Sequence, residues 1–269
     1  MKLFPTRIST TRLMIKKVLK TLLIILFWLC VWQGLSMIVG LELLLPSPIR
    51  TLKRLFELAG TLSFYEIILR SLARILIGTA AAVALGVALA ILTARFKLLH
   101  DFVSPLMTVI KAIPVASFIV LLLLWMGRDI LPSIISALIV LPIVWTSVET
   151  GILQTDKSLL EMARVYKMSP WGKVRHIYAP ATLPYFVSAL NSSLGLAWKA
   201  GIAAEVLALP AIAIGKQIYE SKLYIETVDL FAWTLTVILI SLIIEKLIVF
   251  AIRKATSSKM ILEVAHDKA

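Results

Sequence analysis

The sequence predicts an all-α, polytopic membrane protein with six transmembrane helices. Three observations predict it. Of 269 residues, 60% are hydrophobic and the mean hydropathy is +0.95, far above a soluble domain. The apolar residues gather in runs of about 20, the length a helix needs to cross a hydrocarbon core of about 30 Å, and not in the short alternating segments of a barrel. Basic residues bracket these runs asymmetrically, as topology requires. A net charge of +13 also fits a nucleic-acid ligand, but charges placed at span ends read as topology.

The first span covers residues 21–39, preceded by Lys2, Arg7, Arg12, Lys16, Lys17 and Lys20. The run is too long for a signal-peptide core and has no clear cleavage site, so it reads as retained, with the N-terminus cytoplasmic. Cys30, the single cysteine, lies within it, which excludes an intrachain disulfide. Next, Ser47 is placed to cap and Pro48 to open a helix over residues 49–59. Its interleaved Arg50, Lys53, Arg54 and Leu52, Leu55, Phe56, Leu58 suit the outer membrane surface.

Span 2, residues 73–94, sets Gly78, Ala82, Gly86 and Ala90 four apart, a smooth stripe for close helix approach. Arg95 and Lys97 follow. Span 3, residues 102–126, contains Pro114, which is expected to kink it. Span 4, residues 131–151, contains Pro142. Residues 156–184 then return to the basic side, and span 5 covers 184–207. Residues 209–215 are too short to span and suit a re-entrant segment covered by protein. Span 6, residues 230–252, precedes Arg253, Lys254, Lys259 and Lys268. This layout puts both termini inside. Trp28, Trp32, Trp125 and Trp233 fall near span ends as anchors or packing residues.

Residues 156–184 form the longest stretch after the first span that could lie in water on the basic side, and by composition they suit an amphipathic loop resting on the membrane interface as well as a docking surface. Leu159, Leu160, Met162, Ala163, Val165 and Tyr166 mark a short helix, with Asp156 or Ser158 available as its cap and Ser158-x-x-Glu161 resembling a capping box. After a break near Lys167-Met168, Ser169 caps a second helix opened by Pro170 and carrying Trp171. Pro180 and Pro184 are expected to end it.

Glu161-Met162-Ala163, Lys167 and Ile177-x-Ala179-Pro180 resemble, at matching spacing, the Glu-Ala-Ala, Gly, Ile-x-Leu-Pro signature of the membrane subunits of bacterial ABC importers. Met162, Lys167 and Ala179 depart from it. Leu45-Pro46-Ser47-Pro48, Ser71-x-x-Arg74-x-x-x-Gly78, Ala112-Ile113-Pro114, Ala197-Trp198, Ala204-Glu205 and Phe231-Ala232-Trp233-Thr234 extend the likeness toward the nitrate, sulfonate and taurine branch. The resemblance implies a type I permease fold in a bacterial plasma membrane. Its implied parts are an N-terminal tail, first span and outer helix (1–62), a permease core (63–252) with a cytoplasmic coupling region (152–180), and a tail (253–269). It further implies a coupling surface of Glu161, Met162, Ala163, Arg164, Tyr166, Lys167, Met168, Ser169, Pro170 and Trp171. There Glu161 would pair with a basic partner residue and Ala163 would admit its backbone. At Lys167 the turn either takes the left-handed form that suits glycine or avoids it.

The implied partners are cytoplasmic ATP-binding subunits, a second permease subunit, an extracytoplasmic solute-binding protein and lipid. ATP and Mg would be bound by the partner ATPase, since this chain has no P-loop: Gly215-Lys216-Gln217 lacks the upstream glycine and the hydroxyl. No cofactor or metal is expected here, because His100, His176 and His266 lie in separate segments. An ion-driven secondary carrier is the alternative, but it usually has two repeated halves, which are not evident. A membrane enzyme lacks converging catalytic groups.

Ser188, Asn191, Ser192, Gly195 and Lys199 share one face of span 5, a candidate path lining. Lys199 lines the path, pairs with a carboxylate, or snorkels. Thr108 and Lys111, with Ser104, form a second stripe. Glu205 caps, pairs or contributes to an outer gate. The cations suit a small anion, a sulfonate or nitrate, or a related small organic solute.

Overall fold

The computed structural model describes residues 7–266, with side chains described over 19–247. The N-terminal residues Lys2, Arg7, Arg12, Lys16 and Lys17 and the 253–269 tail therefore lie outside what is described of side chains. The described residues form helices and no strand. Four helices are long and apolar enough to cross a membrane, at Leu19–Val39, Leu62–Arg95, Leu131–Leu153 and Thr227–Leu247, and a bent pair makes a fifth.

In chain order, α1 is Arg7–Val39, α2 Pro48–Ala59, α3 Leu62–Arg95, α4 Lys97–Ala112, α5 Val115–Leu122 and α6 Leu131–Leu153. Then come α7 Lys157–Val165, α8 Pro170–Lys173, a π-helical turn Val174–Tyr178, α9 Ala179–Ala208, α10 Ile214–Leu223 and α11 Thr227–His266. The remaining expected span, the fifth in chain order, is α9. Its 30 residues are long enough, about 45 Å, but it is too polar to be counted with the others. The reason is its position: α9 packs along α6 and supplies residues to all three core clusters, so little of it needs to suit lipid.

The helix α6 lies between α3 and α9. The small-residue stripe of α3 is what lets α6 approach. Gly78, Ala82, Gly86 and Ala90 are all buried, and a Cβ on Gly78 would lie 2.0 Å from the Ser133 carbonyl oxygen.

The third expected span is not kinked but broken. Helix α4 ends at Ala112, and α5 starts at Val115 after a bend of 101°. Pro114 drives this. Ile113, the residue before it, is forced to ψ 128°, and Pro114 becomes the N-cap of α5.

At one end of the bundle, α2 forms as expected, with Ser47 accepting from the Arg50 N–H at 3.3 Å. It is pinned to α11 by a two-pronged ion pair, Arg54 Nε to Asp229 Oδ1 at 2.6 Å and Nη2 to Oδ2 at 2.8 Å. Those bonds push the Arg54 pKa above its ordinary value. Of the short segment 209–215, residues 209–213 are irregular and the last two open α10. Among the tryptophans, Trp28 and Trp125 are exposed, Trp32 is half-buried and donates to the Pro46 carbonyl, and Trp233 is core.

Candidate coupling surface and translocation face

The coupling region folds as two short helices around one tight turn. Asp156 caps α7 by accepting from the Ser158 N–H at 2.8 Å, so of the two candidate caps it is the aspartate that acts. Lys167 takes the left-handed conformation at φ 50°. The Met168 N–H reaches the Ala163 carbonyl at 2.9 Å and the Lys167 N–H reaches the Arg164 carbonyl at 3.1 Å. This is the complete paired-bond helix ending in which glycine is usual, built here with lysine. Ser169 then accepts from the Gly172 N–H at 3.1 Å and Pro170 opens α8.

Ala163 is fully buried within the chain, so it cannot admit a partner's backbone; its small size serves packing inside the protein. Glu161, Met162, Arg164, Val165, Tyr166, Lys167, Ser169, Pro170 and Trp171 are exposed, and Met168 and Gly172 are half-buried. Val165, Tyr166 and Trp171 are 80%, 76% and 72% exposed. Large apolar side chains so open to water mark an interaction surface.

Pro180 does not end the second helix. The backbone continues from α8 through the π turn into α9, with the Ala179 N–H bonding the Val174 carbonyl. Pro180 has no N–H to give the carbonyl one turn back, and the wider π turn accommodates that defect without a break.

Near the other end of α9, Glu205 is fully buried. It accepts from Ser71 Oγ at 2.8 Å, Arg74 Nη1 at 3.1 Å and the Gly215 N–H at 3.1 Å. Arg74 also donates to the Ile212 carbonyl at 2.8 Å and lies 3.4 Å from Asp129. One carboxylate thus ties α3, α9 and α10 together. Of the roles expected for Glu205, pairing with Arg74 and capping of the first turn of α10 are both observed, and it does not share the open face of α9.

On that face Ser188, Asn191, Ser192 and Lys199 are exposed, and Ser192 Oγ donates back to the Ser188 carbonyl at 3.1 Å. Asn191 and Gly195 also line a cleft of about 220 Å³ with Ser241 and Glu245 of α11. Lys111 donates to Thr146 Oγ1 of α6 at 3.0 Å, and the Thr108 hydroxyl turns back to the Ser104 carbonyl at 2.9 Å. Sequence reasoning gave Glu245 no role beside the polar face, because α9 and α11 are neighbours only in space.

Residues 82–261 match the family model described as binding-protein-dependent transport system inner membrane component. The chain belongs to this family. It is a membrane transport subunit and not an enzyme. Within the family it is 30% identical to the nitrate import permease protein NrtB of Synechocystis sp., over 76% of this chain and 77% of that one. It is 25% identical to the putative aliphatic sulfonates transport permease protein SsuC of Bacillus subtilis, over 80% of this chain and 78% of that one. Among solved structures, the MetNI methionine ABC transporter in inward facing conformations has the same fold, with TM-score 0.52 and 21% identity over 72% of this chain and 93% of that chain. These likenesses agree with an ABC importer permease of the nitrate and sulfonate branch. The structure also gives the Ser71, Arg74 and Glu205 of the sequence resemblance a shared physical purpose, since all three meet in one buried network.

Proposed function

We propose that this chain pairs with a second copy of itself, takes a small anion from an extracytoplasmic binding protein, and moves it inward when α7 and α8 are driven by a cytoplasmic ATPase that binds ATP and Mg. The observation that carries this reading is the capped α7–α8 pair, which leaves Tyr166 and Trp171 exposed. Arg74 and Arg95 lie 21 residues apart on α3, about 32 Å, so the Glu205 network and the α7–α8 surface occupy opposite ends of the bundle.

The orientation is supported by how the charges are used. At the Glu205 end, Arg50, Arg54, Arg70, Arg74 and Lys216 are paired with Glu42, Asp229, Glu66, Glu205 and Glu220, while Lys53, Arg128 and Lys222 form no ion pair among the described residues. At the α7–α8 end, Arg95, Lys97, Arg164, Lys167, Lys173 and Arg175 form no ion pair among the described residues. Uncompensated cations belong on the cytoplasmic side. An anionic solute fits the relatives named for nitrate and sulfonates and the exposed Lys199 on the polar face of α9.

Co-expression with candidate ATPase chains, purification in detergent and uptake by proteoliposomes test the proposal. An ATPase that follows this chain through purification and vanadate-sensitive uptake of a sulfonate or nitrate are expected. Uptake that follows an ion gradient and ignores vanadate overturns it in favour of a secondary carrier.

A further inference from the structure

At the α7–α8 end, a cavity of about 800 Å³ opens between α3, α6 and the continuous α8–α9 helix. Its walls are apolar, from Val87, Ile91, Val148, Ile152, Leu183 and Phe186. Two cations, Arg95 and Lys173, also line it, and no carboxylate does. Neither cation is paired among the described residues.

The geometry resolves this cavity into two levels. Arg95 ends α3, and Val87 lies eight residues back, about 12 Å deeper along the helix axis. Arg95 therefore lies at the end of α3 and the apolar wall runs back from it along the helix, a spacing that suits a charged headgroup above the upper part of an acyl chain. A soluble anion would satisfy only the rim and leave the walls empty. An apolar chain alone would leave the two charges unused. Basic pockets between transmembrane helices at the membrane boundary suit anionic headgroups.

We propose that this groove binds an anionic phospholipid, with its phosphate between Arg95 and Lys173 and part of one acyl chain along α3, α6 and α9. The assignment to the cytoplasmic leaflet rests on the proposed orientation; the binding chemistry does not. Because one wall is the α8–α9 helix itself, bound lipid bears on the element that joins the coupling surface to the polar face.

Native mass spectrometry of the assembled complex, with phosphatidylglycerol and phosphatidylcholine of identical acyl chains added in turn, tests this. The wild type is expected to retain phosphatidylglycerol in clear excess. The double variant Arg95→Gln, Lys173→Gln should lower that occupancy about 25-fold, each basic residue being worth about fivefold, and leave phosphatidylcholine unchanged. A second variant, Ala94→Trp, fills the groove while keeping both charges and should reduce both lipids. Equal retention of the two lipids by the wild type, or undiminished phosphatidylglycerol in the double variant, overturns the proposal. So does a shift from dimer to monomer in both variants with no lipid seen, which would give the groove to a second copy of the chain. The ATPase is counted separately in the same spectra, so its absence weighs against the proposed function and not against lipid binding.

Discussion

Arg74 on α3 and Glu205 on α9, 131 positions apart in the chain, meet at 3.1 Å with the glutamate fully shielded from solvent. Ser71 and the Gly215 N–H complete the carboxylate's surroundings. Removing one member of such a buried pair leaves the other uncompensated, which costs about 3–5 kcal/mol. Glu205→Ala should therefore lower the thermal unfolding midpoint in detergent substantially. Glu205→Gln should cost less, since the amide can still accept from Ser71 or Gly215. Equal losses in the two variants would mean that the charge, and not the size or acceptor capacity of the side chain, holds this network.

Of the two glycines on the α3 stripe, Gly78 lies closer to α6. An added methyl would meet the Ser133 backbone, and backbone cannot swing aside as a side chain can. Gly78→Ala should cost at least about 3 kcal/mol, the upper end for overpacked cores. Gly195→Ala on the same scale should be near neutral, because nothing lies within 4 Å of its added Cβ. The pair, measured by thermal unfolding, separates a packing effect from a general intolerance of helical glycine replacement.

Lys167 holds a left-handed conformation that favours glycine. Lys167→Gly should stabilise the α7–α8 turn by about 1 kcal/mol, and Lys167→Val should destabilise it by more, since branching at Cβ crowds that conformation. Hydrogen exchange at the Lys167 and Met168 amides, both bonded back into α7, reads the effect locally.

Tyr166 and Trp171 are mostly in water, so their replacement by alanine should change stability by no more than about 0.5 kcal/mol. Retention of the ATPase chain should fall sharply in the same variants. A large loss of stability with normal ATPase retention would place both rings in the fold and not in an interface.

Much of this architecture was legible because it is written in short-range chemistry. The Ser47-Pro48 and Ser169-Pro170 pairs each announced a helix start, and each acts as that chemistry requires. The spacing of Gly78, Ala82, Gly86 and Ala90 announced a contact, though not that α6 would make it. Pro114 and Pro180 show where local rules stop. Both remove one backbone donor, yet one breaks its span by 101° while the other is absorbed in a π turn. What surrounds each proline decides between those outcomes, and that is set by tertiary packing. Burial of Ala163 was hidden for a similar reason: the sequence gives a residue's size but not which neighbour uses it. The meeting of Ser71, Arg74, Glu205 and Gly215 joins three helices, and no periodicity spans such distances.

The unbroken backbone from Pro170 to Ala208 makes the coupling end and the polar face parts of one shaft. A shaft of fixed length has no separate throttle for its two ends. In the proposed mechanism, a tilt applied at Trp171 would be carried to Lys199 along this continuous helix, with the Glu205 network near its far end. A lesion that let the π turn slip would disengage the gear: solute would still be offered, ATP would still be spent, and the engine would idle.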